Sequence, residues 1–366
     1  MITIKVSMSN VPESIKRKVG RNLHLQKNHP IEIVKRIVVD YFKGLKNYNF
    51  AVFDNLSPYV SVEDNFDKLL IPKSHPSRSR SDTYYVDDET VLRTQTSSHQ
   101  NQLLSDGHND FIVAGDVYRK DEIDSSHYPV FHQMEVVGKI ADGVGDAKEE
   151  LFRVIDGLVE YLFPGCEYRV NDDYFPFTEP SFEYEVKFGD KWMEILGCGI
   201  MHEKIVENNG LAPNRYWAMG LGLDRMCCIC CDIPDIRYLW STHKRFLSQF
   251  DDGRLHKFQT YSELPTESQD ISFFIDEEQL KDNRAVWLQE NDFFDIVRDV
   301  CGDWIANVEK RDEFFHPKHQ KLARMYRLDY SPYDPSLKNP SDFKKKITEL
   351  QNTVRKRVVE LGIELR

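Results

Sequence analysis

The chain has 366 residues, 40% of them apolar and 30% charged, with a formal net charge of −12. That balance is typical of a globular protein and excludes a disordered one, and the length exceeds what a single hydrophobic core usually supports, so two domains are expected. No window approaches the roughly 18 consecutive apolar residues of a membrane-spanning helix, so no membrane partner is expected.

The first 28 residues carry six Lys or Arg and one acid, Glu13. Organellar targeting peptides share this bias with the basic arms of mature proteins, and residues 1–29 are set apart as a basic N-terminal arm. From Pro30 the apolar residues Ile31, Val34, Ile37, Val38 and Tyr41 recur at helical spacing, which predicts an amphipathic helix over 30–43. Asn55 to Pro76 reads as extended chain with turns, and His99 to Asp106 as helix. Phe111–Tyr118 and Phe131–Val137 have the β-branched and aromatic content of strands, with a polar loop, Arg119 to Pro129, between them. A helix is expected at 146–162, then strands at 182–188 and 191–196. Residues 215–231 begin with punctuating glycines and end as an apolar helix stopped near Pro234.

A domain boundary is placed between 240 and 258, giving a first domain over 30–250 and a second over 258–366. Beyond the boundary the order reads strand (271–275), helix (291–301), two strands (304–315 and 321–330), helix (341–360) and a short last strand. This βαββαβ order is the ferredoxin-like arrangement, and α+β suits both domains. Residues 251–309 hold 5 basic and 15 acidic groups, whereas 310–366 hold 14 and 8, so the basic end is either a phosphate-facing surface or a solvated helix face. Four of the seven cysteines, Cys227, Cys228, Cys230 and Cys231, crowd into an apolar run. There they read as small hydrophobes rather than metal ligands, which suggests a reducing compartment.

Two stretches carry chemistry. In Gly115 to Glu135 (GDVYRKDEIDSSHYPVFHQME), Arg119 ends one strand, and Phe131, Gln133 and Glu135, spaced by two, share a face of the next. A guanidinium fork, a ring, an amide and a carboxylate on one surface suit a base, a phosphate and an ammonium together. The plain alternative makes Arg119 a surface partner of Asp121 and Phe131 part of the core. In Trp217 to Arg225 (WAMGLGLDR), Gly220 and Gly222 allow close approach of a ligand, and Arg225 falls at a helix start where phosphates are favoured. A packing role is the alternative there.

Together, RxD…HxxFHQxE and GLGLxR resemble motifs 2 and 3 of class II aminoacyl-tRNA synthetases, and the wording is similar to that of phenylalanyl-tRNA synthetases. Asn65–Arg78 (NFDKLLIPKSHPSR), Leu92–Gln100 (LRTQTSSHQ), Tyr174–Pro180 (YFPFTEP) and Glu194–Gly199 (EILGCG) agree in order. The C-terminal part resembles the anticodon-binding domain carried in the same chain by the mitochondrial type. The resemblance implies a class II antiparallel-sheet catalytic domain and ATP-dependent activation of L-phenylalanine, followed by transfer to tRNA(Phe). ATP and Mg2+ are the implied cofactors, and the implied state is a monomer in the mitochondrial matrix, with the cytoplasm as alternative. Arg119 and Arg225 would hold ATP phosphates as the catalytic pair. Phe131 would stack under adenine, with Ser126, His127, Glu194, Met219 and Gly220 completing the ATP site. Ser97, Ser98, His99, Gln100, Tyr128, Gln133, Met134 and Glu135 would surround the amino acid's polar end. Phe175, Phe177 and Ala218 would enclose its ring, and Glu179 is the metal-ligand candidate. Gln95, Met219 and Asp224 depart from the histidine, phenylalanine and glutamate usual in that family. Two rivals stand beside this reading: a synthetase-like RNA-binding protein without catalysis, and a class II ligase for another amino acid.

Overall fold

The computed structural model describes residues 9–260, 265–281, 286–332 and 339–366. Its larger unit is built on a seven-stranded sheet from β1 (Ala51–Phe53), β2 (Phe111–Tyr118), β3 (Val130–Lys139), β4 (Tyr168–Asp173), β5 (Thr178–Phe188), β6 (Lys191–Met201) and β7 (Tyr216–Gly222). The strand order is β1-β2-β3-β7-β6-β5-β4; β1 pairs with β2 in parallel and every other pair is antiparallel. One face is covered by α1 (Pro30–Lys43), α2 (Ala147–Leu162) and α3 (Leu223–Cys231). Helix α1 starts as its sequence suggests: Pro30 needs no amide partner in the first turn, and the His29 side chain accepts from the Ile31 N–H. Ile31, Val34, Val38 and Phe42 then point into the core with Leu151, Ile155 and Leu158 of α2, while Cys227 and Cys231 of α3 are buried there as plain apolar groups.

The other face of the sheet is left open at its centre. Strand β7 falls within the stretch read as glycines leading into a helix, and β4 was not expected at all. The helix expected over 99–106 is a short 3-10 turn, Thr96–His99, followed by a helix over Gln100–Ser105.

The smaller unit holds β8 (Glu267–Ile275), α4 (Glu290–Cys301), β9 (Ile305–His316), β10 (Lys321–Tyr330), α5 (Pro340–Val358) and β11 (Glu364–Leu365). Its sheet order is β9-β10-β8-β11, all antiparallel among the described pairs. Both helices pack on one face over Ile271, Phe273, Tyr326 and Leu328.

The two units meet through the chain between β2 and β3. Ile123 of that loop is buried in the core of the smaller unit, and the Val308 N–H donates to its carbonyl at 2.8 Å. Arg298 donates to the carbonyls of Asp121 and Glu122. Lys120 Nζ lies 2.8 Å from Asp292 and 3.2 Å from Asp295, and Asp295 also accepts the Tyr84 hydroxyl at 2.8 Å. Burial raises the Asp295 pKa, and its cations Lys120 and Arg298 oppose that rise. The described part of the N-terminal arm is no free tail: Val11, Ile15, Leu23 and His24 are buried, and Lys18 lies over the rings of Tyr128 and Trp240 at 4.9 and 5.0 Å. Residues 1–8 of that arm lie outside the described residues.

Removing one member of a buried charged cluster leaves the others uncompensated, at a cost of about 3–5 kcal/mol. Asp295→Ala, which leaves Lys120 with Asp292 alone and takes the acceptor from the buried Tyr84 hydroxyl, is therefore expected to lower the thermal unfolding midpoint by several degrees. An unchanged midpoint would show that Asp295 does not hold the junction.

Candidate active site

The alternation of β3 decides which side chains reach the open face. Phe131, Gln133 and Glu135 point outward, while Met134 and Val136 are buried in the core beneath. In register with them lie the glycines of the neighbouring strands: Gln133 faces Gly222, Glu135 faces Gly220, and Gly220 in turn faces Gly197 of β6. These glycines clear the floor. A Cβ on Gly220 would lie 3.2 Å from the Gln133 amide, and one on Gly197 would lie 2.7 Å from the Phe175 ring.

Above this floor is a cavity of about 460 Å³, walled by Ile71, Ser77 and Thr83 on one side and by Phe175, Pro176 and Phe177 on another. A second lobe of about 280 Å³ shares Arg119, Asp121, Gln133, Glu194 and Gly220 with it. The two lobes differ in chemistry. In the first, the Phe175 and Phe177 rings lie nearly parallel with centroids 5.8 Å apart, and Ala218 closes the floor. At its polar end Glu135 is fully enclosed and one of its carboxylate oxygens has no partner. Burial pushes its pKa up to about 7, with the Ser97 hydroxyl acting weakly the other way. Gln133 is oriented by the Thr96 N–H, which donates to its side-chain oxygen at 3.2 Å.

Arg119 stands between the lobes. Its Nε donates to the Thr94 carbonyl at 2.8 Å and its guanidinium lies 5.3 Å from the Phe131 ring centroid. Its pKa is lowered first by desolvation and also by Arg225, while Asp121 and Glu194 pull it up. The second lobe holds Phe131, Arg225, Ser126 and His127. Arg225 reaches across from α3 to Glu194, 2.9 Å away. Asp124 fastens the loop at the rim. It accepts the Ser126 and His127 N–H groups at 2.6 and 2.8 Å, the Ser126 hydroxyl at 2.9 Å, and pairs with the His127 ring at 2.7 Å. Burial alone would raise its pKa, but these bonds together hold it below the usual carboxylate range.

Several expected residues stand elsewhere. Met134 faces the core because it sits one residue out of phase with Gln133 and Glu135. Met219 packs into the same core and borders the aromatic lobe from below, instead of flanking Phe131. Ser98, His99 and Gln100 lie behind the wall that Ser97 forms. Ser98 donates to the Gln95 carbonyl, and His99 is a buried partner of Arg93 at 2.9 Å, its pKa lowered to about 4 first by burial and then by that guanidinium. Tyr128 borders the second lobe, stacks on Trp240 and donates its hydroxyl to Asp303 of the smaller unit at 2.8 Å, so it is no part of the aromatic lobe. Glu179 is exposed outside both lobes, 3.7 Å from His202, and is corrected as a metal-ligand candidate. The sequence reading passed over Glu183 of β5, which faces Gly197 and whose pKa is raised first by burial and then by Glu194, Glu185 and Asp173. Its signal was present in FEYEVKF, where it falls out of phase with the buried Phe182, Tyr184 and Val186.

Residues 14–250 match the family model described as the class II core domain (F) of tRNA synthetases. The chloroplastic/mitochondrial phenylalanine–tRNA ligase of Arabidopsis thaliana is 43% identical over 98% of this chain and 83% of its own length. The mitochondrial enzymes of Mus musculus and Saccharomyces cerevisiae are 39% and 32% identical over 97% and 98% of the chain, spanning 85% and 92% of their own lengths. The chain belongs to the phenylalanine–tRNA ligase family. A phenylalanine–tRNA ligase alpha subunit of Prochlorococcus marinus covers only 61% of the chain, at 37% identity. Two departures from the family pattern are now placed: Gln95 lines the aromatic lobe, and Asp224 is buried at the border of the second lobe.

Gly197→Ala puts a methyl group where the Phe175 ring lies, and overpacking of this kind costs about 1–3 kcal/mol. Denaturant unfolding should show that loss. Full stability would mean the ring moves aside freely and Gly197 does not fix it.

Proposed function

We propose that this chain activates L-phenylalanine with ATP and transfers it to the terminal adenosine of tRNA(Phe) in organellar protein synthesis. The observation that carries the reading is the convergence of Arg119 and Arg225 on one cavity that also holds the Phe131 ring, next to Arg119, with an apolar, ring-lined lobe next door. The amino acid's ring would enter between Phe175, Phe177 and Ala218, where edge contacts with aromatic rings are favourable. Its ammonium would meet Glu135 and Gln133. Its carboxylate would then lie beside Arg119, close enough to attack the α-phosphorus of ATP stacked on Phe131.

In that step a carboxylate oxygen bonds to the α-phosphorus and the bond to pyrophosphate breaks. Negative charge grows on the α-phosphoryl oxygens, where Arg119 waits, while Arg225 steadies the far phosphates. The protein supplies position and fixed charge and needs no nucleophile of its own. A hydroxyl of the terminal ribose then attacks the acyl carbon and AMP leaves. Glu194, which lines both lobes, and Glu183, whose pKa is raised first by burial and then by Glu194, are the carboxylates suited to hold Mg2+, which would neutralise phosphate charge.

The smaller unit supports a ferredoxin-like reading. Numbered in chain order, its strands lie 4-1-3-2, with one helix in each crossover. We assign it the anticodon arm, in line with its basic C-terminal half. A monomer in the mitochondrial matrix fits the single-chain relatives.

Phenylalanine-dependent exchange between ATP and pyrophosphate tests the reading, run against all twenty amino acids. Arg119→Ala is expected to cut the exchange rate by about 10²–10³, the usual cost of losing one preorganised charge-stabilising group. Near-normal exchange would refute the assignment of Arg119. The pH dependence is a second test. Because the empty-site pKa of Glu135 is raised to about 7, the neutral acid prevails below that pH and cannot pair with an ammonium. The KM for phenylalanine should therefore fall as pH rises towards 7, by up to about tenfold per unit, and level off above it. Glu135→Gln should flatten the profile. A wild-type KM that does not change between pH 6 and 8 would exclude this role.

A further inference from the structure

Strands β3 and β7 are paired as far as Gln133 and Gly222, after which β7 turns into α3. The next amide of β3, that of His132, has lost its ladder partner. The Asp224 carboxylate takes its place. It accepts the His132 N–H at 2.6 Å, and the His132 ring nitrogen Nδ1 lies 3.1 Å from the same oxygen and 3.4 Å from the other. Both residues are buried, His132 entirely. His132 follows Phe131 and Asp224 precedes Arg225, so one carboxylate joins the strand carrying the ring of the nucleotide lobe to the helix start carrying its guanidinium. The His132 ring is itself stacked on Trp240 at 5.5 Å, so it has little freedom to turn.

We propose that Asp224 and His132 are positioning residues that set the spacing between Phe131 and Arg225, and so the grip on the nucleotide but not on the amino acid. This rests on the ATP-dependent reading above. Neither side chain touches the aromatic lobe; Asp224 borders only the nucleotide lobe. A charge-assisted bond made to a backbone amide and a ring together is stronger than either alone, and geometric slack at this point reaches Phe131 and Arg225 first.

The test is a split in kinetic constants. Asp224→Asn, with nearly the same shape and no charge, should raise the KM for ATP by about tenfold, the equivalent of losing one strong charge-assisted bond, and leave the KM for phenylalanine within about twofold. Asp224→Glu, which keeps the carboxylate, should restore most of the loss. His132→Phe keeps the backbone amide and the stacking but removes Nδ1, and should shift the ATP constant in the same direction by less. That variant also stands in if the asparagine variant does not fold. Calorimetric binding of ATP to the unreacted protein gives a readout independent of turnover. If the wild-type chain binds ATP but exchanges nothing, the functional reading fails while the pair can still be judged by binding. Equal rises in both KM values, or unchanged ATP binding in folded variants, would overturn the proposal.

Discussion

Everything at the site depends on the period-two alternation of two neighbouring strands. In β3 the residues Phe131, Gln133 and Glu135 share one face, and in β7 Ala218, Gly220 and Gly222 lie in register with that face. A slip of one residue would bury the ring, the amide and the carboxylate in the core and present Met134 and His132 to the ligand. The register is protected by what lies on the other side. Met134, Val136, Met219 and Leu221 are buried against α1 and α3, so a slip would also expose four large apolar side chains, each worth roughly 1.5–3 kcal/mol of burial. The chemistry on the open face is thus held by hydrophobic packing on the closed one.

That arrangement brings like charges together, which has its own cost. Desolvation is the main cause of the lowered Arg119 pKa and Arg225 adds to it, while Asp121 and Glu194, the latter paired with Arg225 at 2.9 Å, pull it upward. Burial first, and then Glu194, raise the pKa of Glu183. Both guanidiniums therefore lie among carboxylates, with Asp121 and Glu194 lining both lobes. At the other end, Glu135 has no cation among its described partners, and burial raises its pKa.

The sequence made some of this legible and hid the rest for identifiable reasons. The helix at 30–43 was legible because proline, a capping side chain and helical apolar spacing agree there. The shared face of Phe131, Gln133 and Glu135 was legible because spacing by two has one meaning in a strand. Strand β7 was obscured by its own function: Gly220 and Gly222 weaken any strand signal, yet they are glycines because a side chain there would fill the cavity. Ser98, His99 and Gln100 share a motif with Ser97, but the 3-10 turn and the helix that follows it carry them behind the wall, a placement that spacing along the chain does not encode. Tyr128 lies one residue from His127 and was given a pocket role, although its partners Trp240 and Asp303 are more than a hundred residues away.

The domain boundary shows a deeper limit. Composition and pattern place a boundary between 240 and 258, and the described strands before and after it join separate sheets. Packing does not follow the same line. Ile123, in the middle of the loop that carries Asp121, Asp124, Ser126 and His127, is a core residue of the smaller unit, and Arg298 of α4 holds the backbone on its N-terminal side. Loops at ligand sites are usually held by the scaffold from which they spring. Here one end of the loop is Arg119, fixed by Thr94 in the larger unit, while its middle is fixed by the smaller one. The shape of the second lobe is accordingly a joint property of both units, and no reading of residues 30–250 by themselves could have contained it.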